Sequence, residues 1–259
     1  MYCSRPLVST LFALAGILVA ALPLPAAAES RIALIIGNRE YRHLPPVRTA
    51  ANDAQAVGAM LARAGFSVTS ASNLTLAEMR TRVSQFSAAF AASGPDTVAL
   101  LFFVGQGLQL EGENYLVPVD AQIKTPSDVN LMSLPVKDLL SELEPAKGRM
   151  LIIMLDAPRS YRFPPRKDAG SVFTPAAAPA GTIVTFSTAP GAGVVESTGR
   201  NSIYVTALLE AMKEPGLGIE RGLKIVRTRV NALTGGRQVP WESSSITRTF
   251  SFFPAPTAR

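Results

Sequence analysis

Cysteine and histidine are nearly absent: Cys3 and His43 are the only examples in 259 residues, so thiol, imidazole and thiolate-metal chemistry have almost no material to work with. The shortage is sharper still in the expected mature chain. Arg5, an apolar stretch over residues 7–22 and the small residues Ala26-Ala27-Ala28 have the order of a secretory leader. Pro23 and Pro25 interrupt that stretch before it reaches the roughly 20 apolar residues of a membrane span. Cleavage near Glu29 would give an exported protein, periplasmic or extracellular, with no stable membrane span. It would also remove Cys3, excluding disulfides and any cysteine nucleophile from residues 29–259.

Long runs of like charge are also scarce. Lys+Arg total 25 against Asp+Glu 19, a net charge of +6, and the basic residues are mostly scattered singly with few aromatics between them. Nucleic acid is therefore not an expected partner. The exception is Arg159, Arg162, Arg166 and Lys167, in a stretch rich in proline and alanine (residues 159–180) that has no helical or strand period and reads as a long loop. That cluster fits either a solvated surface or a site for an acidic partner.

What is abundant is apolar sequence, 47% of the chain, in runs of strand length that alternate with helix-period segments. This is the pattern of βαβ units and a mostly parallel sheet. Residues 31–36, 66–71, 97–104, 149–155 and 182–187 read as strands, and residues 250–253 as a closing edge strand. Residues 76–90, 134–143, 202–212 and 219–233 read as helices, as does a segment capped by Thr49 or Asn52. A hairpin is expected around Glu111-Gly112-Glu113. The expectation is one α/β domain over residues 29–253, a three-layer α/β/α sandwich with a six-stranded sheet in the order 2-1-3-4-5-6, and a short tail at 254–259. In such sheets ligands bind outside the carboxyl ends of the strands, which points to the loops after Ile36, Val104, Leu155 and Ser187.

Two of those loops read Gly105-Gln106-Gly107 and Asp156-Ala157-Pro158, and Gln106 and Pro158 lie 52 residues apart. With Ala33-Leu34-Ile35-Ile36-Gly37-Asn38, Asn52-Asp53-Ala54, Asn114-Tyr115-Leu116-Val117-Pro118 and Gly235-Gly236-Arg237-Gln238, their order resembles the caspase-like peptidases, especially the bacterial metacaspase-like branch. The resemblance implies the caspase-like fold. It also implies a histidine between the two glycines and a cysteine after Asp-Ala, about 50 residues later.

This sequence departs from the resembled family at both positions. A glutamine amide hydrogen-bonds but does not titrate near neutral pH, so Gln106 cannot act as general acid or base. Pro158 has neither a nucleophilic atom nor a backbone N–H. The reading is a pseudoenzyme with no catalytic residues and no cofactor or metal. Ser160 and His43 are the one alternative pair for hydrolysis, with no spacing that orients them. The resemblance further implies a pocket for Arg or Lys side chains built from Asp53, Asp156 and Ser187, hence a peptide or protein partner with basic residues. Each carboxylate also has a plain structural role open to it, Asp53 in the first turn of a helix and Asp156 at a strand end. Trp241 after Pro240 reads as packing or loop support.

Overall fold

β1 (Arg31–Gly37), β3 (Val98–Val104) and β7 (Met150–Asp156) lie side by side and parallel, and every residue of the latter two is buried. Strands apolar on both faces require helices on both sides. The computed structural model describes residues 29–145, 149–158 and 178–256. The expected leader, Ser160 and the Arg159, Arg162, Arg166 and Lys167 cluster lie outside these residues. Among the described residues, no helix is long and apolar enough to cross a membrane.

The helices and remaining strands follow in order along the chain: α1 (Ala50–Arg63), β2 (Ser67–Ser72) and α2 (Leu76–Ala92) precede β3. Between β3 and β7 come β4 (Gly107–Leu110), β5 (Glu113–Leu116), α3 (Pro126–Met132), β6 (Leu134–Pro135) and α4 (Val136–Glu142). After β7 come β8 (Thr182–Phe186), α5 (Ile203–Met212), α6 (Ile219–Leu233) and β9 (Trp241–Ser244). The main sheet has the order β2-β1-β3-β7-β8-β9, parallel throughout except for β9. The chain therefore has the expected three-layer α/β/α sandwich, with the strand order 2-1-3-4-5-6 among its six main strands.

Alternate residues of each central strand serve opposite layers. Ala33, Ile35, Leu100, Phe102, Ile152 and Met154 pack with residues of α1, α5 and α6, whereas Leu34, Ile36, Leu101, Phe103, Ile153 and Leu155 pack with residues of α2 and α4. The period of two along each strand generates the three layers. A smaller cluster, including Leu108, Tyr115, Ile123 and Val129, lies beneath the β4–β5 hairpin. Glu111 and Gly112 both have positive φ, as a two-residue hairpin turn requires.

The closing strand differs from the expectation. Residues 250–253 pair with no strand, and the antiparallel edge is β9 instead. The alternating phenylalanines are explained by packing. Phe250 and Phe252 meet edge-to-face at 5.0 Å, Phe66 lies edge-on to Phe250 at 6.4 Å and tilted against Phe252 at 6.5 Å, and the Arg31 guanidinium lies 5.0 Å from the Phe250 ring and donates to the Phe252 carbonyl at 2.8 Å. Alternation marks alternate burial, and here the backbone groups bond to the start of α6, with Ile219 N–H donating to Phe250 O. A second difference is α3. Its Thr125–Asp128 capping box and Pro126 form a legible helix start, but only Val129 is buried, so the helix has no apolar period to detect. Thr49 is the N-cap of α1, without a side-chain capping bond, and Asn52 lies inside the helix.

Candidate functional site

The loops after β1, β3, β7 and β8 converge at the carboxyl end of the sheet and enclose a cleft of about 350 Å³. Gln106 and Pro158 both line it, so the structure brings together the two residues singled out by the family resemblance. Its other walls come from Pro45 to Thr49 on one side and Val194 to Ser197 on the other, with Asp156, Ser202 and Gln238 also contributing. No histidine and no cysteine is among the described residues of the lining. His43 is exposed in the loop after β1.

The geometry around Gln106 is fixed by its neighbours. Its backbone N–H donates to Tyr41 Oη at 2.7 Å, its carbonyl accepts from Val117 N–H at 3.0 Å, and its side-chain Nε2 donates to Pro45 O at 3.1 Å. Burial pushes the Tyr41 hydroxyl well above its ordinary pKa, so it stays a neutral donor and acceptor. Both flanking glycines are demanded by close approach. A Cβ on Gly105 would lie 2.5 Å from Tyr41 Oη and 2.8 Å from a Phe103 ring carbon, and one on Gly107 would lie 2.8 Å from Pro158 O. Gly105→Ala is expected to lower stability by roughly 2 kcal/mol through overpacking, read as a lower denaturation midpoint with an unchanged slope. An unaffected midpoint would show that the loop yields freely.

The acidic residues are arranged differently from an open pocket. Asp156 is 5% exposed and lines the cleft, and its Oδ2 accepts from Ser202 Oγ at 2.6 Å. Asp53 is fully buried behind it. Asp53 Oδ1 accepts from Asn201 Nδ2 at 2.8 Å and from Ser202 N–H at 3.0 Å, while Oδ2 has no hydrogen-bond partner. Ser187 is fully buried and does not line the cleft. It is close enough to favour the ionised form of Asp156 without making a regular hydrogen bond. Of the three expected pocket residues, only Asp156 faces the cleft, because the dipeptide Asn201-Ser202 at the start of α5 stands between the carboxylates and engages both.

Burial, together with the neighbouring charge of Asp53, raises the Asp156 carboxyl to about 6, against the opposing hydrogen bond from Ser202 and the nearby Ser187 hydroxyl. Burial also raises Asp53, opposed by the nearby Thr49 hydroxyl and by the bonds from Asn201 and Ser202. The sequence gives the remaining contributors no role at the site. Ser202 is legible as an N-cap, since its Oγ accepts from Val205 N–H, but nothing marks its bond to Asp156, 46 positions earlier. Gln238 bridges Ser187 O and Val195 N–H, holding the segment 194–197 against the cleft, and it lies in a loop with no periodic signal.

Residues 30–251 match the peptidase C14 caspase domain. The chain belongs to the caspase-domain family. It is similar to the human mucosa-associated lymphoid tissue lymphoma translocation protein 1, 29% identical over 134 residues, and to its mouse homologue at 28%. Those matches cover 52% of this chain and 16% of each relative, so the chain aligns with only a small part of them. Among solved structures, caspase-1 from Spodoptera frugiperda superposes with a TM-score of 0.66, covering 93% of this chain and all of that one at 21% identity. That likeness establishes the caspase fold. In this caspase-domain chain the cleft combines an apolar wall and a buried carboxylate, with no imidazole and no thiol among the described lining residues.

Proposed function

We propose that this caspase-domain protein holds arginine- or lysine-bearing segments of a peptide or protein partner without cutting them, and that it does so after export. The observation that carries this reading is the pairing of Asp156 with Gln106 and Pro158 in one cleft. By its resemblance to the metacaspase-like branch, the chain has glutamine where the family has its histidine and proline where it has its cysteine. Gln106 cannot relay a proton and Pro158 cannot attack a carbonyl or donate to an oxyanion, so the chemistry of a cysteine peptidase has no participants.

Recognition is separable from that chemistry. A carboxylate that faces a small cleft with proline and valine walls suits a long side chain with an apolar stem and a cationic head. The leader-like residues 1–28 support export. Calorimetry against peptides that differ only by Arg, Lys, Gln or norleucine at one position tests the reading. Binding of the Arg and Lys peptides alone is expected, weakened about tenfold or more in Asp156→Asn. Equal affinity for the Gln and norleucine peptides would overturn it.

A further inference from the structure

We infer that the cleft takes the free carboxyl terminus of a peptide ending in arginine or lysine, its basic side chain against Asp156 and its terminal carboxylate against Arg48. This rests on the proposal that the cleft accepts basic side chains, and it narrows the ligand to a chain end.

Three features carry it. Arg48 lines the same cleft as Asp156 and is the only cation among the described lining residues. A ligand that satisfies both must present a positive and a negative group within one small volume. An arginine or lysine inside a chain offers Arg48 only a neutral carbonyl, whereas a terminal residue offers a carboxylate, whose two oxygens match the guanidinium fork.

Secondly, Arg48 is available to a ligand. Its ion pair with Glu196 spans 4.0 Å, with the two side chains 69% and 89% exposed. Such a pair contributes little and is screened by salt, so it yields readily to a better-placed carboxylate. The third feature is size. About 350 Å³ lies at the low end of ligand-binding cavities, enough for one residue and its terminus. Near the expected terminus neither Pro158 nor Gln106 competes with Arg48 as a donor. Pro158 has no N–H, and the Gln106 amide is turned to Pro45 O.

The test is calorimetry with the purified protein and three hexapeptides of alanine and glycine. One ends in arginine with a free carboxylate, one ends in arginine amide, and one carries arginine at its third position. The free-acid peptide is expected to bind about tenfold more tightly than the other two. In Arg48→Gln, that advantage should vanish while the affinity for the amide stays the same; in Glu196→Gln, the free-acid peptide should bind more tightly. Arg48 is exposed, so the variant's melting temperature should match the wild type and show that the loss is not misfolding. Equal binding of the acid and the amide, with the preference for arginine intact, overturns this inference and leaves basic recognition standing. Binding of none of the three peptides overturns both.

Discussion

A chain carrying Gln106→His and Pro158→Cys together is expected to cleave peptides after arginine or lysine, at least about a hundredfold above the wild-type background. The two positions already line one cleft, so the double replacement supplies a thiol and an imidazole from converging loops. Proline's replacement also returns a backbone N–H to that peptide unit. The loop after β1 is suited to orient the new ring. Pro45 O accepts a hydrogen bond from Gln106 Nε2, and it can accept one from an imidazole N–H in the same place, fixing the tautomer as a third group does in hydrolytic triads. Each single replacement should stay at background, since a thiol without its base and a base without its nucleophile both lack half the mechanism. Mass spectrometry of peptide digests, with iodoacetamide as the control that should abolish the new activity, checks the result. A folded double variant that still binds basic peptides yet cuts nothing would show that the loss extends beyond two side chains.

Asp156→Asn is expected to stabilise the protein near pH 7.5 and to flatten its stability between pH 4 and 7. The wild-type carboxyl titrates at about 6 because burial and the Asp53 charge both oppose its ionisation. In the unfolded chain an aspartate titrates near 4. The folded state therefore holds the proton more tightly. Its contribution to stability is complete below about pH 4 and is lost as the pH rises through 6, a loss of about 3 kcal/mol for a gap of about two pH units. Asparagine carries no charge at any of these pH values, keeps a carbonyl oxygen for Ser202 Oγ, and relieves Asp53 of its neighbour's repulsion. Urea unfolding at pH 4, 6 and 8 should show wild-type stability falling relative to the variant across that range. Parallel curves for the two proteins would mean that the Asp53–Asp156 pair carries no strain.

Much of this could be read from the sequence, for identifiable reasons. β1, β3 and β7 are legible because central parallel strands are apolar on both faces. The convergence of Gln106, Pro158 and Asp156 follows because each ends a parallel strand or begins the loop after it. Residues 250–253 carry a strand signal without a strand, because alternation records burial on one side and says nothing of whether the backbone pairs. α3 escaped because a two-turn helix with one buried residue has no period. At the site, Asp53 and Ser187 sit at the right end of the sheet yet do not face the cleft. What turns the Asp53 carboxylate away is Asn201-Ser202, 148 and 149 positions later in the chain, and side-chain bonds across such separations leave no mark in local pattern.

Incubating the unmodified protein for a day with a mixture of Arg- and Lys-containing peptides, and analysing every peptide by mass spectrometry, decides between binding and cleavage. Intact peptides are expected, at concentrations where calorimetry shows the basic ones bound. Cleavage after Arg or Lys that persists in the presence of thiol-alkylating reagents, and that disappears on replacing a residue of this chain, would contradict binding without cleavage.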